Sequence, residues 1–207
     1  MKIIVHETQC FSSTEVYRQY FQHDEVWIEA KENYQKRSYR NKYNILTSQG
    51  VTSLTIPLSA GKNNQKPIKD VRIAYESDWI KIHLNTIRAA YGNSPFFEHY
   101  FDFIEKIYSK KPSFLYDFNT ESLHFICTKI GCPIIIGETS IYELHYPASV
   151  TDYRKQPLSI VELSSNPTTK YVQVWQLEKT FYKNLSILDA LFCLGPETKP
   201  YILSMEK

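Results

Sequence analysis

Several motifs that would assign a chemistry directly are missing from this chain of 207 residues. It has no GxGxxG dinucleotide fingerprint, no GxSxG nucleophile elbow and no HExxH zinc motif. Its six histidines are widely scattered, and His83 and His99 are too far apart to form a metal pair on one helical face. We therefore expect neither a metal site nor a bound cofactor.

Cysteine pairs with a recognisable spacing are also absent. No two cysteines have CxxC or zinc-finger spacing; they are Cys10, Cys127, Cys132 and Cys193. A chain of this length can bury roughly 70% of its unfolded surface, so it needs no disulfide or metal to fold. Cys127 shares an apolar helical spacing with Leu123, Ile126 and Ile130, which predicts a buried free thiol.

The chain also lacks a strong charge bias and a long apolar run. A net charge of +2 is too small for a general nucleic-acid binder, so any basic site must be local. No segment approaches the ~20 apolar residues of a membrane span. The apolar run Ile3–Val5 is far shorter than a signal-peptide core. We expect a soluble, cytoplasmic protein with no membrane span.

What the sequence does contain is strand patterns first and helical patterns second. Strands are predicted at 2–6 and 25–30 around a helix at 14–22, with a connection long enough for a parallel strand pair. A hairpin follows, with arms at 43–47 and 51–58 and a three-residue loop at 48–50 whose Gly50 takes the left-handed position. Residues 69–75 alternate again, as in a strand.

The middle third is helical. Asp78 is the predicted cap of a helix ended by Gly92, with an apolar stripe of Trp79, Ile82, His83, Thr86, Ile87, Ala90 and Tyr91. Ser94 and Pro95 start the next helix, and a third begins after Asn119. The tail predicts strands at 133–136 and 172–175 and a last helix at 185–194 capped by Asn184.

These elements predict a mixed, layered α/β domain with a strand-rich N-terminal half and a helical middle. An α+β arrangement is the alternative. The length favours a single domain over residues 1–207, with a C-terminal elaboration from about residue 138.

The segment 31–43, KENYQKRSYRNKY, concentrates five basic residues, three tyrosines and two asparagines in thirteen positions. It follows a predicted strand, and ligands of open α/β sheets bind beyond the carboxyl ends of strands. Lys36 and Arg40 are suited to phosphate groups, and Tyr34 offers a flat face to a ring. An exposed segment whose charges stay in water is the other interpretation.

His83 is the candidate proton acceptor, because an ordinary imidazole titrates near neutral pH. It lies on an apolar helical face, which is equally typical of a core histidine held by a hydrogen bond. Glu32 and Asp70 are candidates to orient it. We expect the 31–43 segment to border a pocket that His83 also lines.

Seven segments in order resemble the WbqC-like proteins of bacteria: ENYQKRSYRNKYNI (32–45), SLTIPL (53–58), KDVRIAY (69–75), W-IKIH (79–83), AYGNSPFFEHY (90–100), LYDFN (115–119) and NLSILDALFCLGPE (184–197). The family's characteristic positions correspond here to Glu32, Asn33, Tyr34, Lys36, Arg40, Asn41, Pro57, Trp79, His83, Tyr91, Ser94, Pro95 and Phe96. This chain departs from the family at residues 6–11, where members usually carry a proline- and tyrosine-containing segment.

The resemblance implies an acyl or aminoacyl transferase, such as a glycine transferase, that acts on a nucleotide-linked amino sugar in O-antigen or other surface polysaccharide synthesis. In that scheme Arg40 and Lys36 hold the diphosphate and Tyr34 stacks on a ring. His83 takes a proton, with Glu32 as its catalytic partner. Asn41, Trp79 and Tyr91 complete the substrate site.

Two other functions stay open. The altered 6–11 segment favours a non-catalytic module that binds a sugar nucleotide or a partner enzyme of the same pathway. Nucleic-acid binding is the least favoured, because phosphate contacts along a strand need a broader basic face.

Overall fold

The computed structural model describes residues 1–59, 63, 65–132, 135–154, 161–163, 170–176 and 180–205. Its strands are β1 (Ile3–Glu7), β2 (Glu25–Glu29), β3 (Lys42–Thr47), β4 (Gly50–Thr55), β5 (Ile135–Glu138), β6 (Val150–Asp152), β7 (Val161–Leu163) and β8 (Phe181–Lys183). Its α-helices are α1 (Thr14–Phe21), α2 (Trp79–Tyr91), α3 (Phe97–Ser109), α4 (Leu115–Lys129), α5 (Ile187–Leu194) and α6 (Thr198–Ser204). The predicted mixed α/β class is confirmed.

A parallel sheet with the strand order β5-β2-β1-β6 organises the molecule. The predicted β1-α1-β2 unit is confirmed, with Ile4 beside Val26 and His6 beside Ile28. Val26 and Ile28 share one sheet face because alternate side chains of a strand point the same way. They join the residues of α1 in one core, so α1 covers that face of the sheet.

The hairpin is present, with one correction. Thr47 pairs directly with Gly50, so the loop consists of Ser48 and Gln49 and is one residue shorter than predicted. Gly50 has a φ of 91°, which is the left-handed conformation expected of a glycine at this turn. Residues 69–75 do not form the predicted strand. A 3₁₀ turn covers Ile68–Asp70, and single bridges follow it.

Two helices begin at residues other than the predicted ones. α3 begins at Phe97, two residues after Pro95, and α4 begins at Leu115, before Asn119 and not after it. The predicted stripe of α2 is wrong at Ile82, which is 59% exposed, while His83 and Ile87 are buried. Successive residues of an α-helix are about 100° apart around its axis, so Ile82 can face solvent while the adjacent His83 faces the core.

The C-terminal region differs most from the prediction. Residues 172–175 are coil and turn, not a strand, and residues 133 and 134 of the predicted 133–136 strand lie outside the described part. α5 is capped by Ser186 and not by Asn184, since the Ser186 hydroxyl accepts from the Leu188 N–H. α6 follows α5 after a 3₁₀ turn and was not predicted.

None of the helices in the described ranges is long and apolar enough to cross a membrane.

Replacing Ser186 by alanine should lower the free energy of unfolding by about 1 to 2 kcal/mol, which is the usual cost of losing a side-chain cap. The Ser186 hydroxyl also donates to the buried carbonyl of Phe11 at 2.8 Å, so the change disconnects two segments far apart in sequence. Urea unfolding measures the loss. Ser109→Ala is the control, because that hydroxyl is exposed and bonds only within its own helix end. Equal stability of the two variants would contradict the role of the cap.

Candidate functional site

Each strand of the parallel sheet ends in an acidic residue. These residues are Glu7 in β1, Glu29 in β2, Glu138 in β5 and Asp152 in β6. Because the strands are parallel, their carboxyl ends lie along one edge of the sheet. Open α/β sheets bind their ligands at this edge. It is therefore the first place to look for a functional site.

Arg40 organises one part of this edge. Its side chain is 1% exposed and pairs with Glu7 at 2.9 Å and with Glu32 at 2.5 Å. The Arg40 Nε also donates to Glu32 at 2.8 Å, so the Arg40–Glu32 pair is bidentate. Gln9 donates to the second oxygen of Glu7 at 3.0 Å. Burial raises the pKa of the Glu32 carboxyl, while Arg40 acts against that rise.

Arg154 organises the other part. Its guanidinium donates to Glu29 at 2.9 Å and to both carboxyl oxygens of Asp152. The guanidinium also lies over two tyrosine rings, 4.9 Å from the centroids of Tyr142 and Tyr146. A further bond from Arg154 to the Glu143 carbonyl fixes the 139–147 loop against the edge. The buried charges at this edge are therefore held in fixed positions.

A cavity of about 580 Å³ opens beside the Arg40 group. Its lining comes from the start of the basic-aromatic segment, from Gln65 and from one tyrosine of the 139–147 loop: Lys31, Glu32, Asn33, Tyr34, Gln35, Gln65 and Tyr142. The walls thus combine two aromatic rings with amide, amine and carboxyl groups. Such a lining suits a polar ligand that carries a ring and hydroxyl groups.

A second cavity of about 690 Å³ lies on the other side of the 139–147 loop. It is lined by Trp27, Glu138, Thr139, Ser140, Ile141, Glu143, His145, Tyr146, Pro147 and Val150. Tyr142 lines the first cavity and Tyr146 the second, and the Arg154 guanidinium contacts both rings. The two cavities are therefore neighbours along one sheet edge.

The predicted site residues of the 31–43 segment divide into two groups. Lys36 is exposed, as a phosphate-binding residue needs to be, whereas Arg40 is buried and its guanidinium is already paired. The other interpretation of this segment, an exposed stretch whose charges stay in water, therefore does not describe Arg40. Tyr34 is 4% exposed and donates to Asn41 at 3.0 Å, and Asn41 donates in turn to the Ile56 carbonyl.

The other predicted residues lie in the core. His83 is 3% exposed, packs against the Trp79 ring at 5.1 Å and lies 3.2 Å from the Tyr108 hydroxyl. Trp79 donates to the Ala74 carbonyl, and Tyr91 is fully buried and donates to Asp189 at 2.9 Å. Neither of these two cavities is lined by His83, Trp79 or Tyr91.

Sequence reasoning missed Glu7, Glu29 and Arg154. A signal for the first two was present, since Glu7 directly follows the predicted strand 2–6 and Glu29 is the last residue but one of the predicted strand 25–30. Arg154 offered no such signal, because its partner Glu29 is 125 positions away. Asp70, a candidate to orient His83, is exposed. Within the part of the chain that the structure describes, no group of three His, Cys, Asp or Glu residues is arranged to hold a metal ion.

Arg40→Ala should destabilise the protein by about 3 to 5 kcal/mol, because it leaves the Glu7 and Glu32 carboxyl groups buried without their cation. Lys36→Ala, an exposed change in the same segment, should stay within about 0.5 kcal/mol of the parent. Denaturant unfolding of the two variants provides the comparison. A small effect of Arg40→Ala would mean that the two carboxyl groups find other partners.

Burial lowers the pKa of His83 to about 4, and desolvation does the same for His6. As the pH falls, the unfolded state, whose histidines titrate near ~6.5, therefore binds protons at a higher pH than the folded state does. Stability should accordingly fall as the pH drops from about 6.5 to about 4, by up to roughly 3 kcal/mol per histidine.

His83→Gln should make that pH dependence shallower, because glutamine does not titrate. His99→Gln, which makes the same substitution at an exposed histidine, is the control. Unfolding curves at several pH values between 4 and 7 test the expectation. An unchanged profile for His83→Gln would show that His83 does not carry this dependence.

The comparisons with known proteins agree with the resemblance seen in the sequence. A Mycobacterium tuberculosis (strain ATCC 25618 / H37Rv) protein named "Uncharacterized protein Rv1507c" is 27% identical over 206 residues, which cover 86% of this chain and 87% of that protein. No solved structure matches the chain. The model of the WbqC-like protein family matches residues 15–152, which include β2, the 31–43 segment and α2 to α4. The chain belongs to the WbqC-like protein family.

Proposed function

We propose that the protein binds a nucleotide-linked amino sugar in the 580 Å³ cavity and transfers an acyl or aminoacyl group to the sugar amine. The family is linked to polysaccharide biosynthesis, and bacterial surface polysaccharide is the proposed destination of the product. The observation that carries the proposal is the lining of this cavity at the carboxyl edge of the sheet, where a carboxyl group, two tyrosines and an amine meet.

The charged side chains in and beside this cavity suit the two ends of such a ligand differently, the diphosphate and the sugar amine. Lys31 lines the cavity, and Lys36 and Arg37 are exposed on the segment that continues from it. These cations suit the diphosphate. Glu32 lies within the cavity wall and suits the amine end of the sugar. Tyr142, which is 40% exposed, offers its ring to the sugar or the base.

Glu32 is the proposed general base. In the reaction the amine nitrogen bonds to the acyl carbon of an activated donor, and the bond from that carbon to its leaving group breaks. The nitrogen loses a proton, which Glu32 accepts. Burial raises the Glu32 pKa, which suits proton transfer closer to neutral pH. Arg40 is a positioning residue in this scheme, since it holds both Glu32 oxygens.

The second candidate is a binding module without catalysis. It is favoured by the same Arg40–Glu32 pair, because Glu32 is only 4% exposed and both its oxygens already accept hydrogen bonds. The burial of His83 removes the other predicted base from both cavities. Under this alternative the sugar nucleotide binds and is not changed.

A titration with nucleotide diphosphate amino sugars tests the binding step that both candidates share. A ligand at a hundred times its Kd should stabilise the folded protein by about 2.7 kcal/mol, seen as a rise in melting temperature. Mass spectrometry of the sugar after addition of an aminoacyl or acyl thioester donor then separates the two. A mass increase supports the transferase, and binding with no mass change supports the module.

Lys36→Ala should weaken that binding by about 1.5 kcal/mol, or roughly tenfold, if its amine donates to a phosphate. Lys110→Ala is the control, because Lys110 is an exposed lysine that pairs with Glu121 in the helical region. Calorimetry on both folded variants measures the difference. Equal affinities would show that the basic segment does not hold the diphosphate.

A further inference from the structure

We propose that the 690 Å³ cavity is a second binding site, and that it takes an organic cation: an amine carried on an aromatic or aliphatic body. This inference goes beyond the sugar-nucleotide site and does not depend on it. It rests on the position of Trp27, on the residues that surround it and on the charges of the cavity wall.

Trp27 lies on the sheet face opposite α1. Its neighbours Val26 and Ile28 belong to the core that includes α1, and side chains alternate between the two faces of a strand. Trp27 pairs with Gly137 on the neighbouring strand β5. A Cβ atom at Gly137 would lie 3.4 Å from Cδ1 of the indole, so the glycine leaves that side of the ring without a side chain against it.

The rest of the wall is largely apolar. Val150 comes from the sheet, and Ile141, Tyr146 and Pro147 come from the 139–147 loop. Ile141 is 61% exposed, so an apolar side chain is presented at an open cavity and not buried in the core. A volume of about 690 Å³ lies within the range of small-molecule sites, roughly 300 to 1,000 Å³.

The charged groups of the wall are negative. Glu138 and Glu143 line the cavity, and among the lining residues that the structure describes there is no lysine or arginine. Glu138 pairs with Lys69 at 2.5 Å, which leaves Glu143 as the carboxylate to test. An anionic ligand would meet this charge unfavourably, whereas a cation would be attracted to it.

The indole itself favours a cation. Tryptophan is the best aromatic partner for a cation because of the negative potential over its ring face. The Trp27 Nε1 donates to Glu25 at 2.9 Å, which fixes the orientation of the ring. Arg154 bonds to the Glu143 carbonyl and stacks on Tyr146, so a second part of the wall is fixed as well. The site is therefore formed before a ligand arrives.

Three probes of similar shape and different charge test the proposal: phenethylamine, 2-phenylethanol and 3-phenylpropionate. Ligand-detected NMR and calorimetry at neutral pH measure their affinities for the full chain. We expect phenethylamine to bind at least tenfold more tightly than 3-phenylpropionate, with the alcohol between them. Equal binding of amine and acid, or tighter binding of the acid, would overturn the proposal.

Variants locate the binding. Trp27→Leu should weaken the amine by about tenfold and the alcohol by less, because only the amine uses the cation–π attraction of the ring. Glu143→Gln should weaken only the amine, by about three- to tenfold. Ile141→Ser is a second variant of the cavity wall, at an exposed residue, for the case that Trp27→Leu does not fold. It should weaken the binding of the amine and of the alcohol severalfold. Glu121→Gln, an exposed carboxylate on α4, is the control. Unchanged amine affinity in both Glu143→Gln and Ile141→Ser would overturn the assignment.

Nucleotide-sugar titrations on the same variants separate this site from the proposed function. Trp27, Ile141 and Glu143 do not line the cavity that holds Glu32 and Tyr34. Their variants should therefore keep the parent affinity for the sugar nucleotide, if the parent binds it. Amine binding without nucleotide-sugar binding would refute only the proposed function, and the converse result would refute only this second site.

Discussion

The buried pairing of Arg40 with Glu7 and Glu32 is the interaction on which the edge of the sheet depends. It connects the end of β1 to both ends of the basic-aromatic segment, and the Arg40 carbonyl accepts from Asn119 of α4. Taking these charges out of water is costly, and the cost is offset only while all partners keep their geometry. The segment is therefore held in one path across the carboxyl ends of the strands, and the first cavity takes its shape from that path.

The elements that are predictable from the sequence are those with a strong local pattern. The alternation in β2 and the helical spacing in α2 depend on neighbouring residues, so both positions are correct. The boundaries and caps depend on contacts from distant parts of the chain. Ser186 caps α5 while its hydroxyl holds the Phe11 carbonyl, and no local signal distinguishes it from the nearby Asn184.

The same limit applies to the site. That the 31–43 segment follows β2 at the sheet edge is evident from the sequence, and so is the exposure of Lys36. The sequence does not show that the Arg40 guanidinium is paired with two carboxyl groups, since one of them, that of Glu7, lies 33 positions earlier. Nor does it show that His83 faces the Tyr108 hydroxyl and not a cavity. A basic or titratable side chain can bind a ligand only when it is not already paired with another group of the protein.

The two buried arginines do not balance the carboxyl groups around them. Arg40 and Arg154 pair with the buried Glu7, Glu29 and Glu32 and with the exposed Asp152, so the interior of the edge carries three carboxyl groups and two guanidinium groups. The exposed cations lie further out, on the 31–43 segment. In the proposed complex this gradient orients the ligand, because an ammonium group is favoured inward and a diphosphate outward. The same gradient disfavours the reversed pose, in which the diphosphate would face Glu32. The charge distribution therefore supports an amino group as the reacting end of the sugar more strongly than it supports any particular acyl donor.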